Sequence, residues 1–321
     1  MTGRFGITVP FPDVALSDHR EWFAELERAG YTDVWTAETD GTDGFTPLAL
    51  AAAWTPSLHV GVAVASAFTR GPALLAQTVA AMAEAAPGRF AFGLGASSDV
   101  VVAEWNGIAY EQPYERVRDT LRFLRAALSG EKVTQEHGTF TVRGFRLARP
   151  PSHPPPILLA ALRPGMLRLA GREADGVILN WLSAGDVASA VAEAAAAGPV
   201  AEVAARIFVV PDSDPTSARA VARRMIAAYL NVPAYAAFHR WLGRAPLLEG
   251  MWRAWSAGDR KGALAAIPDE VVDDLVVHGS PDDCRMHVAR YVAGGVTLPV
   301  LAVVHPGGDL RAALRALAPG G

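Results

Sequence analysis

The sequence predicts an eight-stranded parallel β/α barrel, the TIM-barrel class, on three observations. Short apolar runs alternate along the whole chain with longer segments of helical period, the mark of βα units around a parallel sheet. The 321 residues exceed the roughly 250 of a bare barrel by enough for two insertions. The first βα turn reads VPFPDVALSD, without the glycines that a doubly wound dinucleotide-binding sheet needs there.

The elements follow in order. Phe5–Val9 reads as a first strand, and a helix opening at Ser17-Asp18 carries Trp22, Phe23 and Leu26 on one side and stops near Gly30. Val34–Thr36 is a second strand and Pro47–Trp54 a helix; His59–Ala65 is a third strand and Pro72–Ala85 a helix; Arg89–Gly93 is a fourth strand. Tyr114–Leu128 makes a long helix, and Val133–Phe145 a β-hairpin turning at His137-Gly138-Thr139. A Pro-rich connector leads to a fifth strand, Ile157–Ala160, and a helix from Pro164-Gly165 to Arg172, with Pro tolerated in the first turn. Val177–Asn180 and helix 184–196 come next, then a seventh strand, Ala205–Val210. The helix-rich stretch 215–277 is longer than one βα unit needs. Ser280 caps a helix to Val292, Leu298–Val304 is the eighth strand, and Asp309–Leu317 closes the chain. With no internal repeat and no low-complexity linker, residues 1–321 are expected to form one domain, with insertions at about 131–150 and 215–277.

Composition narrows the function classes. A net charge of −4 and no polybasic run give no footprint for nucleic acid or for membrane surfaces. One cysteine, Cys284, allows neither an internal disulfide nor a cysteine zinc site, and no other cluster has metal-ligand spacing. The start MTGRFGITVPFPDV has no signal-peptide core, and no long uninterrupted apolar stretch follows, so a cytoplasmic protein is expected. The sequence has no HExxH, Walker loop or G-x-S-x-G elbow.

In this fold class, chemistry sits at the C-terminal ends of the strands. That rule selects Glu38 and Thr39 after the second strand, Ser66 to Arg70 after the third, and Gly95 to Ser98 after the fourth. It also selects Leu162 to Gly165, Asn180 and Trp181, Asp212, and His305. Gly93-Leu94-Gly95-Ala96-Ser97-Ser98 lets backbone approach a ligand, or is simply a tight βα turn. Glu38 suits a general base or a hydrogen bond to a cofactor ring, or is a solvated loop acid. Trp35, Trp105 and Trp181 line an aromatic pocket or only pack. Arg163 is placed to meet a phosphate at a helix N-terminus, whereas Arg168 and Arg172 read as a solvated face. Of the histidines, His59 reads as structural, His19, His239 and His287 as helix surface, and His305 as the one positioned for chemistry or as a loop residue beside Pro306-Gly307.

Taken together, VWTAETDGTDGFTPLALAA, RGPALLAQTVAAM, GRFAFGLGASSDVVVAEWNG, RPGMLRLAGREADGVILNW, LNVPAYAAFHRWLG and HGSPDDCRMHVARYVAGGVTLPVL span nearly the whole chain. The chain resembles the luciferase-like monooxygenase superfamily, most closely its members that use the deazaflavin coenzyme F420. The resemblance implies a barrel with these insertions and a cofactor across its mouth, the ring near Glu38 and Thr39. It implies that Ser66 and a non-prolyl cis peptide at Ala63-Val64 back the ring. Ala96, Ser97 and Ser98 would bind the ring or its side chain, and Leu162, Arg163, Pro164 and Gly165 the tail and phosphate. Two departures stand out: Thr39 where many deazaflavin members have histidine, and Arg163 where glycine is common.

The expected activity is hydride transfer between F420 and a small organic substrate. Glu38, Thr39 and His305 are the candidate catalytic residues, and Trp105, Asn180 and Trp181 the candidate substrate pocket. The alternatives are an FMN-dependent monooxygenase supplied by a reductase, and a non-catalytic flavin- or ligand-binding member. A homodimer is expected from the resemblance alone, with the 215–277 helices over the mouth or at the dimer interface.

Overall fold

The computed structural model describes residues 3–305 and 307–319; Pro306 and the extreme ends of the expected 1–321 domain lie outside them. The first half of the chain runs β1 (Gly6–Thr8), α1 (His19–Ala29), β2 (Asp33–Thr36), α2 (Thr46–Trp54), β3 (His59–Ser66), α3 (Pro72–Ala85), β4 (Phe90–Gly95) and α4 (Pro113–Leu128). A hairpin of β5 (Val133–Glu136) and β6 (Thr141–Phe145) precedes β7 (Ile157–Ala160), α5 (Pro164–Glu173), β8 (Gly176–Asn180), α6 (Val187–Ala195) and β9 (Glu202–Val210). Five helices follow: α7 (Pro215–Leu230), α8 (Pro233–Trp241), α9 (Ala245–Ser256), α10 (Arg260–Ala265) and α11 (Asp269–Leu275). The chain closes with β10 (Val277–His278), α12 (Pro281–Ala293), β11 (Leu298–Val303) and α13 (Leu310–Leu317).

Eight strands pair in parallel in the ring order β1-β2-β3-β4-β7-β8-β9-β11, and β11 returns to β1. This is the closed barrel expected of the βα alternation, and closure leaves its strands no free edge. Strands buried on both faces read as near-continuous apolar runs, as these do. Their outward side chains pack under the helix ring, and the inward ones form a separate core of Trp35, Ala91, Leu158, Ile178, Ala204 and Val300, among others. Trp35 fits there because its indole lies against Gly61, where a Cβ would come within 2.5 Å of the ring.

At the N-terminal end, Arg4 joins three strands. Its Nε donates to Asp33 Oδ2 at 3.1 Å, and its terminal nitrogens pair with Asp33 and Glu202. This pairing explains one departure from the sequence reading: β9 starts at Glu202, not Ala205. A carboxylate reads as loop by composition, but here Arg4 compensates it inside the barrel bottom. Burial still outweighs Arg4 in setting the Glu202 pKa, which is raised.

Three smaller differences bear on the mouth. β4 runs on to Gly95, a π-type turn (Val100–Glu104) follows it, and the short β10 pairs with the end of β9. Two histidines read as surface residues are buried instead. His19 Nε2 accepts from Phe11 N at 2.9 Å and its Nδ1 donates to Ala15 O, while the ring stacks on Phe11. His239 is 0% exposed beside Phe238, because α8 turns that face toward the Trp181 backbone and Asp186 at the end of β8 and the start of α6.

Helices α7–α11 build a second core around Ile226, Leu248, Met251 and Trp252, which takes in Trp181, Phe208, Val210 and Ala302 from the ends of β8, β9 and β11. The insertion therefore roofs the β8–β9–β11 side of the barrel mouth.

Candidate functional site at the barrel mouth

On the β2–β4 side, the ordinary β3–β4 pairing breaks between Val62 and Ala65, where the Ala63-Val64 peptide is cis, the isomer implied by the resemblance. Ala63 and Val64 are half-buried at this bulge, and small neighbours make room for it. A Cβ on Gly93 would stand 2.1 Å from Val62 O, and one on Gly95 would stand 2.5 Å from Val64 Cγ2. The glycines of GLG are thus required by close backbone approach within the barrel wall.

Beyond β4, Ser97 adopts a left-handed φ of +63°, and its carbonyl accepts from Tyr110 Oη at 3.1 Å. Ser98 Oγ accepts from Val101 N at 3.3 Å and opens the π-type turn. Ser66 Oγ accepts from Phe68 N at 3.1 Å, turning the chain after β3. These hydroxyls first of all shape the loops that frame the mouth.

Glu38 is not a free loop acid. Its Oε2 accepts from Arg70 Nη1 at 2.6 Å and its Oε1 from Gly44 N at 2.8 Å, so it ties the β2–α2 loop to the loop after β3. Arg70 in turn lies over the Phe45 ring. Thr39, the next residue, is exposed.

Leu162 is half-buried where β7 gives way to α5, with Arg163 as N-cap, Pro164 in the first turn, and Arg163 and Gly165 exposed. A Cβ on Gly165 would meet nothing within 4 Å, so this helix N-terminus is open to an approaching group.

On the roofed side, Asn180 Nδ2 donates to Tyr235 Oη at 2.8 Å. Burial pushes the Tyr235 phenol up to about 12, so it stays protonated at neutral pH. Trp181 was expected to line an open substrate pocket, and here the structure corrects the expectation. It is 1% exposed, stacked on Phe208 at 4.1 Å and covered by Tyr229 of α7. Trp105 is 54% exposed just after the π-type turn, outside any enclosed pocket. His305 is half-buried, and both ring nitrogens are sealed from solvent without a hydrogen-bond partner among the described residues. Asp212 lies close enough for His305 to contribute to its lowered pKa, after hydrogen bonds from Asp214 and Ser217. No metal-binding group of His, Cys, Asp or Glu occurs among the described residues, and burial pushes the Cys284 thiol up to about 12.

The sequence reading passed over Arg206. It projects from β9 into a narrow cavity also lined by Thr8, Trp35, Ala63 and Ile178. The signal was present: a lone arginine, two residues before Phe208, inside the apolar run AARIFVV.

Comparisons with known proteins agree with this architecture. Residues 4–298 match the luciferase-like monooxygenase family. A Mycobacterium tuberculosis protein provisionally named a coenzyme F420-dependent oxidoreductase is 28% identical over 315 residues, covering 88% of this chain and 90% of its own. The 5,10-methylenetetrahydromethanopterin reductase of Methanolobus tindarius is 30% identical over 306 residues, covering 91% and 92%. Among solved structures, the coenzyme F420-dependent tetrahydromethanopterin reductase of Methanopyrus kandleri has the same fold, with a TM-score of 0.80 at 21% identity over 99% of this chain and 97% of its own. The chain, an oxidoreductase, belongs to the luciferase-like monooxygenase family.

Proposed function

We propose that this protein is a coenzyme F420-dependent oxidoreductase that moves a hydride to or from a small organic substrate. One observation carries the reading: full-length similarity to F420-named relatives coincides with a bulge at Ala63-Val64 opening on the barrel mouth.

The residues fit the cofactor. Ala63, Val64, Ala96, Ser97 and Ser98 would hold the ring and its side chain, all of them only half-buried at the mouth. The open N-terminus of α5, with Leu162, Arg163, Pro164 and Gly165, would hold the tail, since unpaired N–H groups and Arg163 favour a phosphate. Bound there, F420 supplies the hydride chemistry.

The chain's own part is position, exclusion of water and proton handling. Glu38, fixed by Arg70 and Gly44, sets the rim beside the ring, with Thr39 at its outer edge. Helices α7 and α8 keep water from the roofed half. His305 is our assignment for the group that gives or takes the proton accompanying hydride transfer. Asn180 and Tyr235 face the substrate from the roofed side. A homodimer, inferred from the family resemblance, is part of the same proposal, as is the cytoplasmic location that the lone cysteine makes the default.

The test is titration of the purified protein with F420 and, separately, FMN, read by fluorescence and calorimetry. Tight F420 binding with weak FMN binding is expected. Tight FMN with weak F420 would replace this reading with a reductase-supplied monooxygenase, and binding of neither would replace it with a non-catalytic member.

A further inference from the structure

The interior of the mouth holds a cation with no anion. Arg206 follows Glu202 and Ala204 on the inward side of β9. Glu202 is compensated by Arg4 at the barrel bottom, but Arg206 forms no ion pair among the described residues. Its guanidinium lies over the Phe208 ring at 4.8 Å, and its Nε is sealed from solvent without an acceptor. Arg206 as a whole is half-buried and only its Nε is sealed, so the terminal nitrogens stay open to a ligand entering the mouth, and no carboxylate already holds them.

The surrounding groups have one polarity. Trp35 Nε1 and Thr8 Oγ1 belong to residues lining the same cavity, and both are buried without a partner. Tyr235 Oη accepts from Asn180 and still has its own proton to donate. The nearby carboxylates have cations of their own: Glu38 is on Arg70 and Gly44 N, Asp33 is on Arg4, and Glu202 pairs with Arg4 through one oxygen while its other, Oε1, is buried at the barrel bottom without a partner. The cavity itself thus offers two unpartnered groups that can donate beside the guanidinium, while Asn180 Oδ1 is an unpartnered carbonyl elsewhere at this end of the barrel. The cavity, about 10 Å³, has room for little more than a water, so these donors and the guanidinium suit the head of an oxyanion at its open side and not the body of a ligand. The planar fork of a guanidinium suits the two oxygens of a carboxylate in particular.

We propose that Arg206 anchors a carboxylate of the substrate, so that this enzyme acts on an organic acid rather than on a neutral alcohol or ketone. Ala63 lines the same cavity and belongs to the bulge assigned to the cofactor ring, so an acid held by Arg206 has its carbon skeleton directed toward that ring. The proposal rests on the F420 reading for the reaction, but not for the anion site itself.

The experiment is calorimetric titration of F420-loaded protein with acetate, hexanoate and benzoate, each against its neutral amide, for wild type, R206K and R206M. The expected result is at least one carboxylate binding about tenfold or more tightly over its amide, as one charge-assisted hydrogen bond can supply. R206M removes that preference, R206K retains part of it, and F420 affinity stays within about twofold of wild type, a small fraction of the energy of one such bond. Equal binding of acids and amides overturns the proposal, as does a preference that survives R206M. Loss of F420 affinity in R206M without an acid preference in wild type assigns Arg206 to the cofactor and overturns it too. Were wild type to bind no F420, the cofactor reading would fail, and the same titrations on the cofactor-free protein would still decide the anion site. If R206M does not fold, R206K and the wild-type preference decide it.

Discussion

At the scale of single residues, burial decides what a side chain does. His239 of α8 is fully buried near Asp186 and the Trp181 backbone, and burial, with Arg244 adding to it, pushes its pKa down to about 4. The folded protein therefore holds His239 neutral, while the unfolded chain takes up a proton below about pH 6.5. Stability from this group is complete above pH 6.5 and falls as pH drops toward 4, by up to about 3 kcal/mol. Urea unfolding from pH 7.5 to 4 should show that slope in the wild type and a flatter one in His239→Gln; parallel slopes would refute the assignment. Glu38 teaches the complementary point, since a carboxylate at a strand end looks available in sequence and is already committed to Arg70 in space.

Among the elements, the helical insertion is the one whose role changes most between sequence and structure. Trp252 donates from Nε1 to Leu230 O at 2.8 Å, linking α9 to the end of α7 inside the second core. Truncation of a buried tryptophan costs about 3–5 kcal/mol, mostly through the cavity left behind. Trp252→Ala should lose hydrogen-exchange protection across 215–275 while β1–β4 keep theirs; uniform loss over both regions would show that the insertion has no local stability of its own. By contrast, α12 is fixed by local chemistry. Ser280 Oγ accepts from Asp283 N, Asp283 Oδ2 accepts from Ser280 N, and Pro281 fills the first turn.

For the whole molecule, the two ends of the barrel divide stability from chemistry. The bottom is closed by Arg4 on Asp33 and Glu202, and Asp33 is wholly buried. Arg4→Ala would leave that carboxylate with Thr32 Oγ1 for company. We expect a loss of about 2–4 kcal/mol, somewhat under the value for a fully buried pair because Arg4 is about one-third exposed. Cofactor affinity, set at the opposite end, should be unchanged; a matched loss of affinity in the folded variant would contradict the division of labour. The mouth carries the opposite arrangement, with Arg206 in no ion pair among the described residues and lying over Phe208, part of the core that α7–α8 help to build.

The local signals settled a great deal. Apolar runs of strand length, Pro at helix starts, Gly30 at a helix end and the Ser280 cap located the barrel's strands and helices to within a few residues. They could do so because capping and periodicity are written in neighbouring residues. The strand-end rule also put Glu38, Ser66, Ser97 and Asn180 at the mouth, while Ala63-Val64 was singled out by the family resemblance alone. What the sequence could not decide is which of these groups remain unpaired. Trp181 left the pocket because α7, some fifty residues later, stacks Tyr229 on it. Glu38 met Arg70 across a neighbouring strand, and Arg206 met no acid at all. Partnership depends on which side chains closure of the barrel brings within about 3 Å of one another, and only the tertiary structure fixes that.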